Sequence, residues 1–440
     1  MTESTPILEI VHCIDTEGPL YEPIEATFDR IERAFGVKLS PSAATLDDLR
    51  HRRIALGGIE AEIARMVDPV LTAYNEDWPA IDRMLDSAMS TEFRNRQPDD
   101  FGNGWVYSWH CVDHLGLASN PRRKMLGYGE IFRFYRNKIE AMRSDRDELN
   151  WHFHPLSIGR NPMAIATSYV NVGTMLYGII ARRILDDAWF PTVNRPGFHA
   201  ERPDSHLFLE QWIPFDYANQ ADTGDVRQPD LAEGRSGDWR RAPAIWHGYH
   251  PSHDDYQSAG ACRRWIFRCL NRGSRLRLLQ QAHVDDAMRE AQSNGHAILA
   301  FSDHDYRDIR PDVDAVRAML ADAKRRYPDV RIRYAGAAAA ARAWIARQRP
   351  LTPPPVLECT VENSRLNVSS TGGALFGPQP FLAIRGRDGT IHHDNFDFQQ
   401  PGRLWTYTFD DQTIPLRDVA EIGVGSAGLD GEFCVVRLRL

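Results

Sequence analysis

The chain has few of the features that stabilise or target specialised proteins. Its six cysteines (Cys13, Cys111, Cys262, Cys269, Cys359 and Cys434) are scattered through 440 residues without a CxxC pair. A disulfide scaffold needs dense spacing, so these read as reduced, mostly buried thiols. Long apolar runs are also missing. No window approaches the roughly 18 uninterrupted apolar residues of a membrane span. The opening MTESTPILEIVHCIDTEG has no basic start followed by an apolar stretch, so a cytoplasmic protein is expected. Basic excess is absent too: 52 Lys and Arg face 60 Asp and Glu, for a net charge of −8. That balance argues against a general nucleic-acid binder. The basic clusters at Arg122, Arg123 and Lys124 and from Arg272 to Arg277 read as solvated faces.

What is present is an ordinary globular composition, 42% hydrophobic and 25% charged. The length exceeds what one core usually serves, so a large domain plus a smaller one is expected. A short apolar run, Ile7 to Ile14, predicts a buried strand ending in acidic residues and Gly18-Pro19. Residues 24–36, 42–66 and 79–90 have helical spacing, and 91–104 is polar and loop-like. Strands are then expected at Val106 to Cys111, Leu149 to His154, Phe190 to Asn194, Ile213 to Tyr217, Ala244 to Tyr249, Ala297 to Ser302 and 330–334. Helices are expected at Tyr128 to Arg143, Pro162 to Asp187, Ser205 to Trp212, Val284 to Ser293, 313–326 and 336–347. Loops are expected around Asn120-Pro121 and over 219–241. This alternation predicts an α/β fold with a mostly parallel sheet over residues 1–348. Four prolines between Arg349 and Pro355 predict a stiff linker over 349–355. Residues 356–440 alternate apolar and polar positions between turns such as Arg387-Asp388-Gly389 and Asp430-Gly431, the pattern of a small antiparallel β-domain. His392-His393-Asp394 reads as a turn there.

Two short motifs carry chemistry. Residues i and i+2 of a strand share a face, so Asp15 and Glu17 converge if the extended backbone persists through Thr16. His152 and His154 obey the same rule. Together they supply two imidazoles and one carboxylate for a divalent ion, with one carboxylate to spare. That inventory suits a hydrolytic Zn²⁺ site with an open position for water. Aromatic, His and Asp residues also cluster in YSWHCVDHLG (Trp109, His110, Asp113, His114) and WHGYHPSHDD (Trp246, His247, Tyr249, His250, His253, Asp254). Three readings stand for these: a sugar-binding surface, loop contacts that satisfy one another, or a second metal site.

The order IDTEG, WHFHP, NRPGF, a helix and IPFDY, then AFSDHD resembles the polysaccharide deacetylases of the NodB-homology group, carbohydrate esterase family four. The resemblance spans roughly residues 7–345 and lies in motif order. It implies a distorted (β/α) barrel and a metal-dependent esterase. It makes Asp15 the general base, Glu17, His152 and His154 the ligands, Arg195 the residue that orients the base, and His304 the general acid. The sequence departs from the family pattern twice. The second acid is two residues beyond the first rather than adjacent, and Leu156 stands where the family has its second histidine.

The resemblance implies removal of an N-acetyl group from an amino sugar or sugar-containing precursor in surface-polysaccharide synthesis. The substrate would be an N-acetylated sugar, sugar nucleotide or glycan. Trp109, His110, His250, His253 and Asp305 are candidate substrate contacts, and Asp303 or Asp305 could instead fix an imidazole tautomer. Two other functions fit the same pattern: hydrolysis of a cyclic amide or imide on the same fold, or carbohydrate binding without catalysis.

Overall fold

The computed structural model describes residues 5–114, 129–154, 169–170, 172–222, 237–272 and 279–440. The expected loop at Asn120-Pro121, the basic cluster 122–124, Leu156, the start of the helix expected from Pro162, most of the 219–241 loop and residues 273–277 lie outside them.

β1 (Ile7–Thr16), β2 (Ser108–His114), β3 (Glu148–His154), β4 (Val193–Pro196), β5 (Phe215–Asn219), β6 (Trp265–Asn271) and β7 (His296–His304) form a parallel sheet in the order β2-β3-β4-β5-β6-β7-β1. Pairing of Cys13 to Thr16 with Ser108 to Cys111 closes it into a seven-stranded barrel. An eighth strand, β8 (Arg331–Ala335), pairs with the lower half of β1, Ile7 to Val11.

The alternation along β1 shows how the barrel is filled. Leu8, Ile10 and Ile14 pack outward into the largest core cluster, with residues of the helices Trp78–Ala88, Gln281–Asn294 and Arg310–Arg326. Val11 and Cys13 point inward, to Tyr217, Phe267, Cys269, Ile298 and Ala300. Both faces are buried, which explains the nearly continuous apolar strand. The polar residues Asp15 and Glu17 follow where β1 reaches the mouth.

The described residues confirm helices near most expected positions, with two corrections. The helix expected from Pro162 starts, as described, at Gly173 and ends at Asp187. No strand occupies Ala244 to Tyr249, where Tyr249 makes an isolated bridge to Ile266; the strand is β6, further along. Arg264 precedes this strand and Arg268 interrupts its apolar run, and both are buried. Arg264 is buried between Glu201 and Asp216, 2.6 Å from the latter. Arg268 lies over the Trp246 ring at 4.2 Å and donates to the Ala221 carbonyl.

Between β1 and β2, the helices Ile24–Phe35, Ala43–Arg50 and Glu60–Met66 enclose a small core of Phe28, Ile31, Leu49, Ile63 and Val67. The stem of this module returns to the barrel mouth, where Asn75 N–H donates to the Tyr306 carbonyl and the Asn75 side chain to the Asp305 carbonyl.

The C-terminal region forms two four-stranded antiparallel sheets. Its strands are β9 (Val356–Glu362), β10 (Arg365–Gly372), β11 (Phe381–Gly386), β12 (Ile391–Asp394), β13 (Asp397–Gln400), β14 (Leu404–Thr408), β15 (Val419–Ala427) and β16 (Phe433–Arg439). The sheet orders are β13-β14-β10-β9 and β12-β11-β15-β16, and their shared core includes Leu366, Val368, Ile384, Trp405 and Ile422. The second sheet also packs on the helix Gly173–Asp187. A Cβ at Gly423 would stand 2.5 Å from the Ile184 side chain, so this close approach requires glycine. His392-His393-Asp394 belongs to β12 and is not a turn; the His393 ring stacks on Phe381 and Tyr177 at 4.0 and 4.5 Å. The proline-rich segment is pinned by Asp430, which accepts from Arg349 and from the Thr352 N–H and hydroxyl.

Candidate metal centre

The mouth of the barrel gathers side chains from four strands. β1 delivers Asp15 and, just past its end, Glu17; β3 delivers His152 and His154, β4 Arg195 and β7 His304. Glu17, His152 and His154 each turn one ligand atom into a common space, all within 4.8 Å of one another. Glu17 Oε1 lies 3.8 Å from His152 Nε2 and 3.5 Å from His154 Nε2, and the two Nε2 atoms are 2.8 Å apart. His152 Nδ1 donates to the Arg195 carbonyl at 2.6 Å, which leaves its Nε2 lone pair facing Glu17. Two imidazole nitrogens and a carboxylate oxygen converging in this way could hold a divalent ion, with borderline-soft metals favoured by the imidazoles.

Asp15 stands beside this group rather than in it. Arg195 Nε donates to its Oδ1 at 2.7 Å, and His304 Nε2 lies 3.8 Å from its Oδ2. Burial alone would raise the Asp15 pKa, but Arg195, then His152 and His304, outweigh it and hold the carboxyl at about 2. Arg195 is itself fixed by the Tyr217 carbonyl at 3.0 Å, Cys269 Sγ at 3.4 Å and His199 Nε2 at 3.3 Å. Burial lowers His304 to about 3 against the opposing pull of Asp15, so its resting form is neutral.

The turn after β4 is held under strain above the ligands. A Cβ on Gly197 would come within 2.7 Å of the His154 ring. Phe198 and His199 both adopt left-handed backbone, with φ of +56° and +50°, a costly choice for side chains of this size. The Phe198 ring sets its edge against His154 at 4.9 Å, and the His199 carbonyl accepts from Trp239 Nε1.

The five candidate substrate contacts do not line this mouth. Trp109 is fully buried against Tyr107 and Tyr135 and presents no face to a sugar. His250 lies at the opposite end of the barrel, its Nδ1 bonded to the Arg264 carbonyl and its ring on Trp265 at the start of β6. His253 is largely exposed beside Asp254. His110 is fully buried inside the barrel, paired in register with Asp15, and burial lowers it to about 3. It adds a neutral ring to the wall behind the base. Asp305 is also fully buried, and its carboxylate binds backbone rather than an imidazole. Asp303 accepts from the His304 N–H and faces His12, at 3.9 Å on the outer side of the barrel.

The sequence did not single out His199, Gly197 or the true partners of Asp305. A hint for the turn was present in the Pro-Gly of NRPGF, which marks a tight bend.

No family model matches the chain, and no curated protein matches it. Among the described residues no helix is long and apolar enough to cross a membrane.

Proposed function

We propose that the protein is a metal-dependent hydrolase that removes an N-acetyl group from an amino sugar or a sugar-containing precursor, with Zn²⁺ held by Glu17, His152 and His154. The observation that carries this reading is the pairing of two unlike carboxylates: Glu17 turned to two imidazoles, and Asp15 locked to Arg195 at 2.7 Å and ionised. A base kept charged next to a His-His-carboxylate group is the equipment for activating water. Motif order along the chain supports the deacetylase type of barrel.

The bound ion would polarise the amide carbonyl, lower the pKa of water and stabilise the oxyanion. Asp15 accepts the proton of the attacking water while Arg195 keeps the carboxylate oriented. His304 starts neutral and lies 3.8 Å from Asp15 Oδ2, so the proton gained by Asp15 has a short route to it. From His304 Nε2 that proton goes to the nitrogen of the breaking C–N bond, and acetate and a free amine leave. The net change is one water consumed for one amide cleaved.

Metal analysis of protein purified without chelator, with mass spectrometry of products from N-acetylated sugar nucleotides and from cyclic ureides, tests the reading. It expects about one Zn²⁺ per chain and loss of 42 mass units from the sugar, roughly the mass of an acetyl group less a proton, an effect cancelled by Glu17→Ala. Turnover of the ureide alone would redirect it to a cyclic amide. Wild-type protein that stays inactive after added Zn²⁺ would overturn it.

A further inference from the structure

Glu17 is the one ligand outside a strand. β1 ends at Thr16, and the chain bends away at Gly18, whose φ is +71°. Nothing in β1 itself therefore aims the Glu17 carboxylate. The bend is held from the far end of the barrel sequence by Asp305. Asp305 Oδ1 accepts from the Glu17 N–H at 2.8 Å, Oδ2 accepts from the Gly18 N–H at 3.0 Å, and the Tyr135 hydroxyl donates to Oδ2 at 2.9 Å. Tyr135 is fully buried on the helix Glu130–Ala141, so this third donor is itself immobile. The Asp305 main chain joins in: its N–H reaches the Asp15 carbonyl at 3.4 Å, and its carbonyl accepts from Asn75 Nδ2 at 2.8 Å.

We infer that Asp305 is the positioning residue of the metal centre: its carboxylate sets the bend that aims Glu17 at His152 and His154. The inference rests on the metal centre alone and holds whatever amide is cleaved. Three donors converge on two oxygens, a demand that an acceptor-only carboxylate meets and an amide does not. In Asp305→Asn one of the donors would face an NH₂ group, and the bend would open. Because His304 is the next residue back and its Nε2 stands 4.0 Å from Glu17 Oε1, the same short turn also sets the spacing between the acid histidine and the ligand carboxylate. Second-sphere partners of ligands govern affinity in this way by limiting where a ligand can point.

The test is metal affinity and ligand geometry, read without substrate. Zn²⁺ affinity of wild type, Asp305→Asn and Tyr135→Phe is measured by competition with a chromophoric chelator, and the visible spectrum of the Co²⁺ form is recorded for each. Asp305→Asn should bind Zn²⁺ about 10- to 100-fold more weakly with an altered Co²⁺ band. Tyr135→Phe, which removes one donor, should lose about three- to ten-fold. Thermal melts of the metal-free proteins separate stability from affinity. Wild-type affinity and an unchanged Co²⁺ spectrum in both variants, with only the melting temperature lowered, would overturn the inference. If Asp305→Asn does not fold, unchanged affinity in Tyr135→Phe overturns it by itself. Wild-type protein that takes up neither ion fails the metal centre as a whole, a result distinct from a loss confined to the variants.

Discussion

The two ends of the barrel interior hold the same kinds of residue in opposite states. At the base, Glu9 on β1 accepts from Arg333 Nε at 2.9 Å and faces His296 Nε2 at 3.1 Å. Burial would raise the Glu9 pKa, but the bonds to His296 and Arg333 lower it instead, so the carboxylate is charged and saturated by donors. At the mouth, eight residues further along the chain, Glu17 meets two imidazoles whose Nε2 atoms converge on it from strand β3. A carboxylate with donors on every side is a structural pair. A carboxylate sharing a space with two imidazole nitrogens is one of a group that could hold a metal ion. Residue type does not separate the two ends; the groups that each carboxylate faces do.

The sharpest way to break the comparison is to delete a carboxylate at each end. Glu17→Ala or His152→Ala should abolish stoichiometric metal binding and lower amide hydrolysis by about 10²- to 10³-fold or more, while leaving the metal-free protein folded. Glu9→Gln should do the reverse. It leaves buried His296 facing an uncharged group and is expected to cost about 3 kcal/mol or more in urea unfolding, with Zn²⁺ affinity unchanged. A fall in metal affinity in Glu9→Gln would mean that the two ends are coupled through the barrel and that the contrast is false.

Arg195 gives the next largest effect. It holds Asp15 at about 2 against a burial cost that pushes the other way. In Arg195→Met the largest of the groups opposing the burial cost is gone, so the Asp15 pKa should rise by about one unit or more and the acid limb of the pH–rate profile should move up with it. An acid limb that stays in place would remove Asp15 from the role of base.

How much of this was legible in the sequence follows from the range of the interactions. The mouth residues were readable because the period of two puts His152 beside His154, because Asp15 and Glu17 stand at and just past the end of one strand, and because parallel strands end on one side. The barrel alternation was readable for the same reason, except at β6, where Arg264 and Arg268 frame and interrupt the apolar run and no strand was expected. Their burial depends on Glu201, Asp216 and the Trp246 ring, partners that sequence spacing does not reveal. Asp305 was legible as a candidate substrate contact or tautomer-fixing residue, and its role at the bend was not. Its backbone partners are 288 positions away from it in the case of Glu17. Trp109 and His250 failed as sugar contacts because composition cannot tell a buried aromatic from a platform at a cleft.

Another histidine, on the outer side of the barrel, sharpens the contrast. His12 is fully buried on the outer side of β1, accepts from Trp105 Nε1 at 3.2 Å and stacks on Phe301 at 4.4 Å. Burial lowers its pKa from 6.5 to about 3. The unfolded chain therefore takes up a proton below about pH 6.5 that the folded chain refuses until about pH 3. The stability that His12 contributes is complete above 6.5 and is lost as the pH falls through that window, by about 2 kcal/mol at pH 5. Urea unfolding of wild type and His12→Gln at pH 7 and pH 5 should show the variant's pH dependence flattened by about that amount. Equal slopes would mean that protonation of the folded chain at His12 is cheaper than its burial implies.

The smallest expected effect lies on the strained turn above His154, where substitutions at two neighbouring positions should both weaken metal binding and only one should stabilise the fold. Phe198→Gly relieves a left-handed backbone conformation at a ring that is more than one-third exposed. It should therefore stabilise the fold by up to about 1 kcal/mol while loosening the packing against the His154 imidazole and weakening metal binding a few-fold. Gly197→Ala places a methyl within 2.7 Å of the same imidazole, so it should weaken metal binding more and stabilise nothing. Thermal melts of the metal-free proteins beside Zn²⁺ titrations read both quantities. If Phe198→Gly gains stability with no loss of affinity, the strain on this turn serves Arg195 and the base, and His154 is held by β3 alone.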